Sequence, residues 1–371
     1  MRSDRAYLSA PPGADASAGC PCQGRIPGIM YRAQEVATAP IFIVGSGRCG
    51  STLLRMMLAS HSRLSIPPET RFLVPLAKHF SIDRSLTEDE IESVLSIITG
   101  YDTWPDMKLD AQDFRRRVSK LTRPRVRDIA EVVYRSYMEA EGKPRWGDKS
   151  PIYITIVPEL ATMFPTSRFI HVVRDGRDVA KSFQATPWRG RWLHDSAERW
   201  IRALKCQRRW DLSEVCNRIL VIHYEDLVLN TESMLRAICR FVGEEFESNM
   251  LSWEGKVDEQ VPERARMHHR KLKLRIGAEG VARWKRELSR REVFVCEAFM
   301  APLLACHGYE RCYTSRLWVP AFTLTRWYCR SVSSGEQFAI NAIGFFQKRL
   351  TQLVDSHKAL QRVAEKLARW V

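Results

Sequence analysis

The sequence has no run of about 18 or more apolar residues, so no membrane-spanning helix is expected. Its first forty residues carry Pro, Gly, Ala, Ser and Arg but no apolar segment of the kind an export signal needs, and no signal peptide is expected there. Ten cysteines occur, but they are scattered. Only Cys20 and Cys22 sit close together, without His or Cys partners at zinc spacing, so no metal site is expected. Scattered thiols without an export signal point to reduced cysteines and a cytoplasmic setting. No internal repeat or low-complexity run occurs, which argues against a solenoid. Acidic residues are also in short supply: 43 Asp and Glu face 58 Lys and Arg, a net charge of +15. That excess suits a polyanionic ligand, an acidic acceptor, nucleic acid or an anionic membrane surface, and does not choose among them.

What is present is enough chain for one large α/β domain or two small ones: 371 residues, 45% of them hydrophobic. Ile41 to Val44 is a short apolar run typical of an inner parallel strand. Gly45, Gly47 and Gly50 follow in a turn, and Ser51 and Thr52 open a helix whose stripe is Leu53, Leu54, Met57 and Leu58. Such a strand–turn–helix presents free N–H groups and a positive dipole end to an anion, most naturally a phosphate. The glycine spacing matches a Walker A loop, but Ser51 stands where the lysine should be, and Arg48 is the only cation in the loop. The turn can therefore cradle phosphate while lacking the lysine that reaches the β/γ-phosphates of a nucleoside triphosphate.

Further along, Leu64-Ser-Ile66 reads as a second strand stopped by Pro67-Pro68, with Glu69, Thr70 and Arg71 at its carboxyl end, where open parallel sheets bind ligands. From position alone, Glu69 also suits the cap of a helix starting at Thr70. A charged helical insert is expected over about 84–141, with a capping box at Thr87–Glu90 and helices over 110–121 and 126–140. It serves either as a lid or acceptor-binding wall or as a packing layer. The arginines at 115–117, 123, 125 and 127 read as solvated helix faces. Lys149, in Trp146-Gly-Asp-Lys-Ser-Pro151, precedes a helix start near Pro151. Phe169 to Val173 is another buried strand, followed by the turn Arg174-Asp-Gly-Arg-Asp178 and a helix holding Ser182. A long helix over 195–210, a strand at Ile219–Ile222 ending at Tyr224, a helix over 231–241 and a basic loop over 257–275 complete this part.

Taken together, these motifs resemble the sulfotransferases that use 3′-phosphoadenosine-5′-phosphosulfate (PAPS), and in particular the tyrosylprotein sulfotransferases and related bacterial enzymes. The likeness runs from about Pro40 to about Leu288. It implies an α/β fold with a P-loop-like central parallel sheet flanked by helices, carrying a helical insert and a helical C-terminal extension. The loop matches the family's 5′-phosphosulfate loop, so Arg48, Cys49, Gly50, Ser51 and Thr52 are expected to bind the donor. Cys49 departs from the family's usual serine. By the same likeness Glu69 is the general base, Arg71 a neighbouring active-site arginine and Lys149 the catalytic lysine, while Arg174 and Ser182 bind the 3′-phosphate. Tyr224 is expected at the adenosine or, alternatively, as a half-buried core tyrosine. Arg275 and Lys285 match, more loosely, the segment that closes over the nucleotide.

The expected reaction is sulfuryl transfer from PAPS to an acceptor hydroxyl of unspecified class (protein tyrosine, glycan, lipid or small molecule) with no metal. Two other classes stay open. A P-loop kinase of a small molecule or nucleotide shares the sheet and loop but needs a loop lysine and a Mg²⁺-binding acid. A basic membrane- or nucleic-acid-binding protein without activity accounts for the charge alone; nucleic acid is the less expected partner. The organisation expected is a disordered tail over 1–38, a catalytic domain over 39–310 and a basic amphipathic extension over 311–371. The extension holds ten Lys/Arg against three Asp/Glu, with Trp318, Trp327 and Trp370 and an apolar stripe from Leu353 to Leu367. It suits peripheral membrane contact, a homodimer, or packing on the core.

Overall fold

At the centre of the fold is β1 (Ile41–Gly45), every residue of which is buried. The structure, a computed structural model, describes residues 38–186, 192–211, 214–266, 277–315 and 318–331. Five strands form one sheet: β1, β2 (Leu64–Ser65), β3 (Arg145–Lys149), β4 (Arg168–Val173) and β5 (Ile219–His223), in the order β2-β3-β1-β4-β5. All neighbours run parallel, with Ile41 opposite Gly147 on one side and Arg168 on the other. Period-two alternation sends Phe42 and Val44 to one face and Ile41 and Ile43 to the other, and each pair anchors its own core cluster.

On the Ile41 face lie α1 (Ser51–Ala59), with Leu54, Met57 and Leu58 inward, and the helix Thr231–Val242. On the Phe42 face lies the insert, whose helices Glu88–Thr99, Ala111–Val118 and Val126–Ala140 bury Val94, Leu95, Ile98, Phe114, Ile129 and Val133. Phe42 stacks on Phe169 at 5.5 Å and meets Trp146 edge-on at 5.9 Å. Truncating an aromatic so placed costs about 3–5 kcal/mol. The expected capping box is present: the Glu90 N–H donates to Thr87 Oγ1 at 3.3 Å, and the Thr87 N–H donates to the Glu90 carboxylate at 2.9 Å. The insert arginines pair along its exposed faces, among them Arg115 with Glu92 and Arg117 with Glu139.

A third cluster joins the helix Gly176–Gln184, the helix Leu193–Asp211 and the helix Arg290–Cys306 to the helix Val319–Ser331 of the extension. Trp318 and Phe322 pack against Phe294, whereas Trp327 is 65% exposed. Among the described residues no helix is long and apolar enough to cross a membrane.

One strand was not expected, and two local expectations need correction. Arg145–Lys149 is a fully buried strand, β3, although its charge gave no strand signal. Glu69 caps no helix: the next one starts at Leu73 with Phe72 before it and no side-chain cap. The stretch expected to be loop from 257 onward holds two single-turn helices, Val257–Gln260 and Glu263–Arg266. Residues 1–37, Arg275 and residues 332–371, with their apolar stripe, lie outside the described residues.

Candidate active site

The carboxyl ends of all five strands meet at one edge of the sheet, and the loop from Gly45 to Thr52 occupies the middle of it. Gly47 and Gly50 take left-handed angles (φ 75° and 97°), and so does Arg48 between them (φ 53°). At Gly50 the need for glycine is double, because a Cβ there would lie 2.3 Å from the Tyr224 ring. No side chain caps the N-terminus of α1 at Gly50, so its first amides keep the polarity that attracts anions. Cys49 turns its sulfur into the core against Gly45 and is fully buried, which leaves it only its backbone to offer a ligand. Ser51 is buried at the helix start, and the Thr52 hydroxyl is 3.3 Å from the Lys149 ammonium.

On the β4 side, Arg48 Nε donates to Ser182 Oγ at 3.1 Å, which links the loop to the helix Gly176–Gln184. Arg174 follows β4 directly. Its guanidinium donates to the Arg48 carbonyl at 3.1 Å and the Gly280 carbonyl at 2.7 Å, and lies over the Tyr224 ring at 4.4 Å. Its Nε is buried without a partner among the described residues. Asp178 lies 3.8 Å from the same guanidinium and accepts from the Trp284 N–H at 2.7 Å. Burial pushes the Arg48 guanidinium below its usual range, and Arg174 adds to the shift. Burial pushes the Asp178 carboxyl up. Two arginines packed so closely, with an orphaned N–H, form a pocket that an anion would relieve.

On the β2–β3 side, Lys149 donates to Glu69 at 2.7 Å. The lysine side chain is only 4% exposed, while Glu69 is 35% exposed. Burial pushes the Lys149 ammonium below the usual lysine range, against the pull of Glu69. Arg71, also left-handed (φ 56°), reaches outward to Asp102 with two bonds of 3.0 and 2.9 Å and lies 4.0 Å from Glu69. Asp102 also faces Arg264 at 3.5 Å, so the insert is tied to the segment after Val257 at the mouth.

Of the residues expected from sequence, Arg48, Ser51, Thr52, Glu69, Arg71, Lys149, Arg174, Ser182 and Tyr224 therefore gather at this edge. Lys285 is directed to Glu310 at 3.4 Å on the exterior. Its neighbour Arg283 was missed by sequence reasoning; it lies near enough to Tyr224 and Asp178 to be stabilised by them, after its bond to Glu287. Also missed were Thr70, Asp102 and Asp148. Asp148 is completely buried, and burial pushes its carboxyl up to about 6 against the hydroxyls of Thr70 and Tyr134.

Two kinds of comparison bear on what this site is. The sequence pattern of the sulfotransferase family matches residues 40–248, more than half of the chain. Protein-tyrosine sulfotransferase 1 of Danio rerio is 26% identical over 287 residues, covering 73% of this chain and 72% of that protein. The nodulation protein NoeE of Sinorhizobium fredii is 26% identical over 155 residues, 41% of this chain and 33% of that protein. Among solved structures, the sulfotransferase domain from the Synechococcus PCC 7002 olefin synthase superposes with a TM-score of 0.53 at 24% identity, covering 74% of this chain and 96% of that domain. The sulfotransferase domain from the curacin biosynthetic pathway gives 0.51 at 23% identity, covering 74% and 99%. These two likenesses concern the fold, which is the parallel sheet with its flanking helices; with the family pattern spanning the loop, Glu69, Lys149, Arg174 and Ser182, the chain belongs to the sulfotransferase family.

Proposed function

We propose that the protein moves a sulfuryl group from PAPS to an acceptor hydroxyl. The observation that carries this reading is the loop's double engagement. Arg48 joins it to Ser182 and Arg174 on one side, and Thr52 joins it to Lys149 and Glu69 on the other. One ligand with an anionic group at each end would thus meet cations at both.

Arg174 and Ser182 take the 3′-phosphate, and Arg275 is assigned there by family likeness alone. Arginine's planar fork gives two aligned donors to such a group, and ATP has none at that position. Tyr224 holds the adenosine side of the pocket. The amides of Cys49, Gly50, Ser51 and Thr52 face the 5′-phosphosulfate.

Glu69 accepts the acceptor's proton as the hydroxyl oxygen bonds to sulfur. The sulfur–oxygen bond to the 5′-phosphate breaks, and its electron pair leaves on the phosphate of 3′-phosphoadenosine 5′-phosphate (PAP). Lys149 has three donors, so it can keep Thr52 and Glu69 and still offer one to the reacting group. Arg48 and Lys149 offset the charge that builds on the sulfuryl and leaving oxygens, with no metal in the scheme. The protein-tyrosine sulfotransferases among the relatives put a protein tyrosine first among acceptors to test, ahead of glycans, lipid alcohols and small phenols.

The test is titration calorimetry with PAP and with ATP–Mg²⁺, followed by labelled PAPS with an acceptor panel. PAP binding well above ATP binding, with label transferred to a hydroxyl, is the expected result. ATP binding tighter than PAP would overturn the reading in favour of a kinase. Salt-sensitive liposome or DNA binding without PAP affinity would overturn it in favour of a binding protein.

A further inference from the structure

Three consecutive residues at the end of β3 grip three consecutive residues after β2. Lys149 holds the Glu69 carboxylate at 2.7 Å. Asp148 accepts from the Thr70 hydroxyl. Ser150 Oγ accepts from the backbone N–H of Thr70 at 3.1 Å and of Arg71 at 3.2 Å. Resting on the sulfotransferase reading above, we infer that Asp148 and Ser150 are positioning residues: they fix the Glu69-Thr70-Arg71 turn so that the base and its neighbouring arginine keep one geometry.

This turn is closely held. Thr70 is completely buried, an unusual place for a threonine between two half-exposed charged residues. Its hydroxyl meets Asp148 and lies 2.7 Å from the Tyr153 hydroxyl. Tyr134 donates to the same Asp148 oxygen at 2.6 Å. The Thr70 carbonyl accepts from the Thr103 hydroxyl of the insert at 2.8 Å, and Tyr153 also accepts from the Leu73 N–H at 3.2 Å. β3, the turn after it, the short helix Pro151–Ile156 and the insert therefore all bond to this one residue, through its side chain or its backbone. Arg71 stands at φ 56°, which a side-chain-bearing residue adopts only at a cost. The Phe72 N–H closes that bend on the Thr70 carbonyl at 2.8 Å, and Ser150, bonding to two successive amides, braces it. Packing alone needs none of this; a buried Val at position 70 would fill the same volume without an ionised partner beneath it. Asp148 Oδ2 takes both hydroxyls, while its Oδ1 has no partner among the described residues; the bonds that are made still favour one arrangement of the turn, and a base displaced by about 1 Å loses about 100-fold in rate.

The experiment uses the full chain and compares Thr70→Val, Thr70→Ser and Ser150→Ala with wild type. PAP affinity is measured by calorimetry. Turnover is measured with labelled PAPS and the best acceptor in a panel of phenols, tyrosyl peptides and glycans, or as label released to water if none is accepted. Thr70→Val and Ser150→Ala are expected to lower kcat by about 10- to 100-fold while PAP affinity stays within about threefold. Thr70→Ser, which keeps the hydroxyl, is expected to stay within about threefold of wild-type kcat. Unchanged kcat in Thr70→Val and Ser150→Ala overturns the inference. So does a loss of PAP affinity in parallel with kcat, or a Thr70→Ser as slow as Thr70→Val, since either would mark a general packing role. Wild type that neither binds PAP nor turns over PAPS would instead overturn the functional reading, a distinct outcome.

Discussion

The two halves of the site are built from opposite materials. Around Arg174 the chain uses β1 and β4, inner strands dominated by apolar residues, with a glycine turn between β1 and α1. Around Lys149 it uses β3, in which three residues of five are charged and all five are buried. Water exclusion holds the first pair in place. Matched polar contacts hold the second. Arg145 donates to the Ala39 and Val242 carbonyls at 2.8 Å each and to Glu244 at 3.0 Å; Asp148 takes Tyr134 and Thr70; Lys149 takes Glu69. An apolar strand reveals its burial in its own composition. A charged strand is buried because remote segments supply its partners, so nothing within the five residues reveals it.

The largest effects should separate the two halves by what each loses. Glu69→Gln is expected to cut turnover by about 10²- to 10⁴-fold and leave PAP affinity within about twofold, because only proton acceptance is removed. Arg174→Ala should do the reverse at first order. It removes a charged fork from a buried pocket, and PAP affinity is expected to fall by about 30-fold or more, roughly 2 kcal/mol or above. Calorimetry and single-turnover rates on the same preparations measure both. If Glu69→Gln weakens PAP as much as Arg174→Ala does, the halves are one pocket and the division is wrong.

That division also marks how far the sequence could be read. β1, β4, β5, the glycine turn, the Thr87 capping box and the helix over 126–140 were legible because each signal is local: an apolar run, a spacing of glycines, a hydroxyl three residues before a carboxylate. Glu69, Arg71 and Lys149 were reached by family likeness, since position alone offered Glu69 a rival role as a helix cap and gave Lys149 only a place before a helix start. Thr70, Asp148 and Asp102 were not reached at all. Their importance lies in contacts with distant parts of the chain, such as Asp102 with Arg71, 31 residues away, and Thr70 with Asp148, 78 residues away, and a threonine or aspartate carries no mark of such a partner. Arg283 was passed over for Lys285 because two cations flanking Trp284 look alike in sequence until the turn is set. The structure pairs Lys285 with Glu310 and Arg283 with Glu287, and the charges of Asp178 and Tyr224 bear on Arg283 beyond that bond.

A smaller but sharper test addresses the strand rather than the chemistry. Arg145 and Glu244 form an ion pair with side chains only 1% and 4% exposed. Glu244→Ala leaves that guanidinium buried and short of its counter-charge, and is expected to cost about 3–5 kcal/mol of stability. Denaturant unfolding at constant m measures it. Replacing both partners, Arg145→Met with Glu244→Leu, should recover only part of the loss, because the uncompensated charge is gone but the Ala39 and Val242 carbonyls lose their donor. A cost under about 1 kcal/mol for Glu244→Ala would mean that β3 is held by apolar contact after all, as β1 is.

The smallest effect belongs to a place where sequence and structure agree and the site is not involved. Thr87→Ala removes the hydroxyl that accepts from the Glu90 N–H at 3.3 Å, at the start of the helix Glu88–Thr99. Such caps are worth about 1 kcal/mol, and in a chain of this size the melting midpoint should move by about 2 °C. The Glu90 carboxylate still accepts from the Thr87 N–H at 2.9 Å and pairs with Arg84, so half of the box survives the change. The helix keeps Val94, Leu95 and Ile98 buried on the sheet, and turnover and PAP affinity should not change. Activity that falls with the cap would be the informative failure. The helix runs directly into Tyr101, Asp102 and Thr103, and these touch Arg71 and the Thr70 carbonyl. Loss of function at Thr87 would then show that the insert transmits its own stability to the turn bearing Glu69, and that the charged half of the site depends on the insert as well as on β3.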